Sequence, residues 1–355
     1  MRALVTRAAI PLLAIFTALL VAAGVLLLQG TSPITAFVAL GEGAFGTQTA
    51  IIETLIKTTP FILAGLGIAL AFRGGLFNIG VQGQLFMGSI FAVVVGYSIE
   101  APPIIHIPLA MLAGMVGGGL WAAIPGYLKA RNGAHEVITT IMLNFIALFF
   151  VSYMVSGPIK DPNPTTVQSL PLMETAHLAR IFGRLHWGFL IAILMAVLAY
   201  IFLFRTTWGF SLRTTGQNPN AAEYAGIRPK WQYVLSFLIA GGLAGLAGSM
   251  EVQGLTRVLS DGVAAGYGFD AIAVSLLALN HPLAIIPSAF LFGALKVGGD
   301  FLRLRAGLSV HLVSVFQALI LLFVAAPAIV RYIFRLKETY TAGEEGGPLT
   351  SGWGS

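Results

Sequence analysis

The 355 residues predict an all-α, polytopic integral membrane protein with about ten transmembrane helices, some of them broken. Three observations carry that expectation. Hydrophobic residues make up 57% of the chain and charged residues 10%, whereas soluble domains carry charge at about a quarter of positions. The apolar residues gather in runs close to the roughly 20 that a helix needs to cross hydrocarbon. The runs are also too long and continuous for barrel strands, and open sheet edges cannot face lipid. Little is left for a soluble domain. Residues 1–335 are expected to form the transmembrane domain, and 336–355, ending in "GEEGGPLTSGWGS", a disordered cytoplasmic tail.

Taken in order, the first run, 8–28, follows Arg2 and Arg7 and lacks a clear small-x-small cleavage site. It reads as a retained anchor, not a removed signal. The others cover 51–71, 84–99, 104–127, 136–156, 187–204, 231–250, 269–280, 283–298 and 311–330, each bounded by Gly, Pro or charge. The eighth is too short to span alone. With both termini inside, Arg2, Arg7, Arg73, Lys129, Arg131, Arg205, Arg213, Arg228, Lys230, Arg331, Arg335 and Lys337 share the cytoplasmic side. Lys160, Arg180, Arg184, Arg257, Arg303 and Arg305 lie outside among acidic residues, and this bias sets the orientation. The net charge of +6 therefore follows the membrane and calls for no nucleic acid. Cysteine is absent, which excludes disulfides and thiolate chemistry.

Two polar segments are long enough to do more than connect spans. The outer one, 157–186, is rich in Pro and polar residues and offers a surface to an extracytoplasmic partner. The inner one, 205–230, is basic, as a cytoplasmic loop should be, but its middle, "GQNPNAAEYAG", is uncharged apart from Glu223. Asn218 suits an N-cap, Pro219 the first helical position, and Gly226 the position past the end. A two-turn helix over Pro219 to Ala225 follows. Such a helix is too short to stand alone. Its apolar face, Ala221, Tyr224 and Ala225, packs either on this chain's own inner surface or on a separate partner.

The stretch "FNIGVQGQ" (77–84) breaks the apolar pattern and has an echo in "FDAIAVSL" (269–276). In each, a helix-capping type, Asn78 or Asp270, follows Phe and opens an apolar run. The echo suggests an inverted repeat of five spans per half. Backbone that leaves the helix at membrane depth must be buried in protein or line a wet cavity. Asn78, Gln82 and Gln84 can satisfy it, or line a pathway. Glu53 and Lys57, at i and i+4, are expected to pair or to snorkel to the outer interface. Lys296 is placed near an outer span end. The histidines are dispersed, with no metal-ligand spacing.

No Gly-Lys dipeptide and no G-x-S-x-G elbow occurs, so neither a P-loop nor a hydrolase nucleophile is present. No metal or cofactor site is expected. Three classes remain: a permease subunit driven by separate ATPases, a self-contained secondary transporter, and a membrane enzyme. The short inner helix favours the first. The apparent scarcity of deep ionisable residues weighs against the second.

Four stretches sharpen this: "GLFNIGVQGQLFMG", "HEVITTIMLNFIALFFVSYMVSGP", "RTTWGFSLRTTGQNPNAAEYAGI" and "GYGFDAIAVSLLALNHPLAIIPSAFLFGAL". Together they resemble the permease family of bacterial ABC importers for simple sugars and nucleosides, nearest its nucleoside branch, from about residue 50 to residue 330. Where that family usually shows an acidic residue in "NIGVEGQ", this chain has Gln82. The resemblance implies a type II importer-like, non-enzymatic subunit of the bacterial plasma membrane. It also implies a second permease chain, identical or homologous, ATPase subunits that carry ATP and Mg, and an extracytoplasmic binding lipoprotein. Coupling to the ATPase would fall to Gln217, Asn218, Pro219, Ala221, Tyr224, Ala225 and Gly226. A nucleoside path would draw on Asn78, Gln82, Asn144 and Phe145.

Overall fold

The structure, a computed structural model, describes residues 2–28, 31–162, 166–262, 266–306, 311–326 and 329. The expected tail, 336–355, lies outside these residues. Helices dominate. In chain order they are α1 (Arg2–Leu28), α2 (Pro33–Phe45), α3 (Gln48–Arg73), α4 (Val81–Ser98), α5 (Pro103–Asn132), α6 (Glu136–Ser156), α7 (Gly188–Arg205), α8 (Thr207–Gln217), α9 (Pro219–Tyr224), α10 (Pro229–Glu251), α11 (Tyr267–Leu277), α12 (Ile285–Ala306) and α13 (His311–Ala325). Among the described residues seven helices are long and apolar enough to cross a membrane, and a bent α1–α2 pair, taken as one span, makes an eighth. Two shorter apolar helices, Tyr267–Leu277 and Ser314–Val324, complete the set. Each of the ten apolar runs holds one of them. The helix α2 falls between runs: Pro33 opens it at the first helical position, but its 13 residues are too few to register as a span.

The centre of the bundle is α3, whose most apolar window is 89% buried, against 22% for α6 and 28% for α7. This explains why α3 is apolar on all sides while α6 and α7 turn residues such as Phe149 and Leu194 outward. Beside it α4, α5 and α10 cross so closely that a Cβ on Gly245 would run into the Gly114 carbonyl, and one on Gly88 into the backbone of Gly245. Without a hydrophobic drive between helices in lipid, such close approach supplies the packing and holds the three together.

The 157–186 segment is laced to the stretch that follows α10. Ser169 and Leu172 donate backbone hydrogen bonds to Leu259 and Arg257, Leu178 donates to Gln253, and a small hairpin pairs β1 (Arg180–Phe182) with β2 (Leu185–His186). The helix α10 itself ends in one π-helical turn, Val252–Thr256, terminated by Arg257 at φ 62°.

Candidate functional site

The polar stretch after α3 and the start of α11 meet inside the bundle. Arg73 closes α3 and its guanidinium donates to the carbonyls of Asn280 (3.1 Å) and Leu279 (3.3 Å), where the chain turns between α11 and α12. The backbone then runs inward. Asn78 and Gln84 exchange two side-chain hydrogen bonds of 3.0 Å, and Asn78 Oδ1 also accepts from the Gly80 amide. Asn144, reaching across from α6, accepts from the Gly83 amide (2.8 Å) and donates to the Ile79 carbonyl (2.9 Å). Gln82 Oε1 accepts from the amide of Gly268 in the first turn of α11 (2.8 Å). All four side chains are buried. Their amides repair the broken backbone at the point where lipid and water are both excluded.

Of the expected pathway residues, Asn78, Gln82 and Asn144 are thus brought together, and Phe145 is not. It stands on the outward face of α6, 54% exposed. Neither Asn78 nor Asp270 is an N-cap. Gly80 and Gly266 hold those positions, and Asp270 lies within the first turn of α11.

The depth of this junction follows from α3. Phe61 lies halfway along its 26 residues, and the ring of Tyr267, the first residue of α11, sits 4.9 Å from the Phe61 ring. Since Gln82 bonds Gly268, α4 also starts near that level. Two helix N-termini, each a site of positive dipole, therefore converge at the centre of the bundle.

Ionisable side chains collect at the same level, which corrects the expectation that deep charges are scarce. Lys296 lies at the middle of α12 and not at a span end, 3.7 Å from the Asp270 carboxylate and 4.3 Å from the centre of the Tyr267 ring. Lys57 approaches the same ring at 5.9 Å, and Glu251 is buried at the end of α10. Glu53 takes Arg184 of the hairpin (2.6 Å) in place of the expected pairing with Lys57. No local spacing links Asp270 to Lys296, because their approach depends on the turn at 279–281. Among the described residues no three His, Cys, Asp or Glu side chains gather as a metal site.

The second candidate region is the end of the bundle formed by α8 and α9. The Asn218 side chain caps α9, accepting from the Ala221 amide (3.0 Å), with Pro219 at the first helical position and Gly226 at φ 79° beyond the end. Ala222 packs inward at 0% exposure. The expected apolar face, Ala221, Tyr224 and Ala225, points away from the protein, and Tyr224 is 95% exposed. Among the described residues this face is left exposed. Gln217 ends α8, and just before it the backbone of Gly216 abuts Arg73 and Gly75, so the exposed helix is joined to the turn that leads to Asn78.

With both regions placed, comparison with known proteins decides the family. The family described as branched-chain amino acid transport system / permease component matches residues 50–325. The chain belongs to that permease family. It is 40% identical over 335 residues to the guanosine ABC transporter permease protein NupP of Bacillus subtilis, covering 93% of this chain and 96% of that one. It is 35% identical over 347 residues to the nucleoside ABC transporter permease protein NupB of Lactococcus lactis, covering 94% and 95%. The glucose ABC transporter permease protein TsgB13 of Haloferax volcanii is 32% identical over 325 residues, covering 88% and 86%.

Proposed function

We propose that this chain is the membrane-spanning permease subunit of an ATP-driven importer and that its solute is a nucleoside. The observation that carries this is the end-to-end similarity to permeases named for guanosine and for nucleosides, at 40% and 35% identity. The glucose relative at 32% favours a second reading, a simple-sugar permease with the same architecture.

The physical reading assigns the parts. The capped, outward-facing helix α9 is the contact for an ATPase subunit, and the basic end that carries it is cytoplasmic, with both chain termini on that side. Nucleotide and Mg belong to that ATPase. The 157–186 segment at the other end receives an extracytoplasmic binding lipoprotein. A second permease chain lies alongside to complete the channel. The junction of Asn78, Gln82 and Asn144 holds the broken helices about which the pathway opens. The deep ionisable residues reduce the force of the argument against ion coupling, and the ABC relatives restore the preference.

Uptake of labelled guanosine, measured in proteoliposomes with and without an ATPase, a binding protein and ATP, tests the reading. Uptake is expected only with all components present. Transport by this chain alone, driven by a proton or sodium gradient, would overturn it.

A further inference from the structure

The ion pair at the start of α11 stands beside a buried carboxylate and a buried hydroxyl that lacks a hydrogen-bond partner among the described residues. Tyr267 is 2% exposed, and its hydroxyl has no hydrogen-bond partner among the described residues. Glu251 is 7% exposed, and Lys57 and Lys296 are the cations acting on it. Buried hydroxyls and carboxylates are ordinarily bonded, because an orphaned one forfeits the hydration it gave up on folding. The Asp270–Lys296 contact is itself loose at 3.7 Å, and the two side chains keep 24% and 27% of their exposure. The group thus sits at the centre of the bundle, where the first turn of α11 begins, with capacity to bond something further.

We propose that Tyr267, Asp270 and Lys296 form a contact site for the solute in transit, an uncharged ligand carrying hydroxyl or amide groups. The proposal rests on the permease reading above. Its chemistry follows from the residues. Asp270 accepts from hydroxyl or amide donors, Lys296 donates, and the Tyr267 hydroxyl can do either. Lys57 and Lys296 stand among the carboxylates Asp270, Glu251 and Asp300, with Glu53 taken by Arg184, so the group holds no excess positive charge. A negative charge brought in by the ligand would stand uncompensated in a poorly hydrated site, which disfavours phosphorylated solutes. Ribose hydroxyls and base amides satisfy these demands, and so do the hydroxyls of a hexose.

Tyr267→Phe is the decisive variant, since it removes only an atom that has no partner among the described residues. A structural role predicts no loss, because deleting an unsatisfied buried hydroxyl is neutral or stabilising. Cells carrying the complete transporter are assayed with labelled guanosine and labelled glucose, and the variants are tested on whichever the wild type takes up. A wrong solute assignment then shows in the wild type, and a wrong site assignment only in the variants. For Tyr267→Phe the expected result is normal permease abundance, retained stimulation of ATP hydrolysis by the loaded binding protein, and uptake lowered about 3- to 10-fold. Wild-type uptake, or a loss explained by reduced abundance, overturns the proposal. The double variant Asp270→Asn with Lys296→Met removes one charge of each sign and leaves the net charge of the group unchanged. Its uptake should likewise be lowered at normal abundance; wild-type uptake in this variant would show that the pair is structural and the site is not a solute contact.

Discussion

At the scale of single residues, the polar side chains that interrupt the apolar pattern do two different jobs. Gln82 supplies an acceptor to the buried Gly268 amide, and either oxygen of a carboxylate could do the same. Gln82→Glu keeps that acceptor only by placing a carboxyl group in a buried position, so it is expected to melt below the wild type in detergent and to recover as the carboxyl is protonated at low pH. Gln82→Leu, which orphans the amide, should lose about 1–3 kcal/mol at every pH; wild-type melting of this variant would show that the bond is dispensable. His186 makes a separate prediction. It is buried in the hairpin, and desolvation pushes its pKa down from 6.5 to about 4. Its Nδ1 accepts from the Gly188 amide, which holds the ring neutral. The unfolded chain binds the proton first as pH falls below about 6.5, so this contribution is complete above that pH. It is lost towards pH 4, by on the order of 3 kcal/mol. The melting temperature should fall over that window, and His186→Asn, which keeps an acceptor without a titrating group, should flatten the fall. Residue types gave these positions away, but their partners did not. Gln82 and Gly268 are 186 residues apart, and nothing short of the fold puts them together.

At the scale of elements, legibility depended on whether the signal was local. The cap, the proline and the terminal glycine that announce α9 are all within nine residues, and the helix is where they put it. The ten apolar runs likewise each hold a helix. What escaped was α2, too short to register as a span, and the π turn and hairpin, whose backbones are satisfied by distant partners. The triple crossing at Gly88, Gly114 and Gly245 was also invisible, since any glycine permits close approach and only the partner helix requires it. Gly245→Ala should accordingly cost about 1–3 kcal/mol through overpacking and lower the yield of folded permease. Gly24→Ala, with nothing within 4 Å of its added methyl, should not. For α9, Ala221→Asp and Tyr224→Ala alter a face that is exposed among the described residues. Permease abundance should hold while recovery of the ATPase on pull-down drops by at least about tenfold, as loss of an interface anchor worth 2 kcal/mol or more implies. Undiminished recovery with both changes present would move the ATPase contact elsewhere.

At the scale of the whole molecule, the distribution of charge sets the remaining prediction, the orientation in the membrane. Lys129, Arg131, Arg205, Arg213, Arg228 and Lys230 flank the same helix ends as α8 and α9, while the hairpin and the 157–162 stretch occupy the opposite ends of α6 and α7. Clustering of Lys and Arg in short loops marks the cytoplasmic side, because translocating them during insertion is unfavourable. The α9 end should therefore face the cytoplasm and the hairpin the exterior. The absence of native cysteine makes this directly measurable. Thr166 and Asn220 are both exposed, whereas Thr215, within the same basic segment as Asn220, is 1% exposed and would resist any reagent from either side. In intact cells an impermeant thiol reagent should label Thr166→Cys and leave Asn220→Cys untouched until the membrane is permeabilised. Asn220 also borders the groove beside α9, so a bound ATPase would protect it even then, and removal of the ATPase should restore labelling. Labelling at position 220 from outside the cell would invert the molecule, and the assignment of α9 to an ATPase on the cytoplasmic side would fall with it.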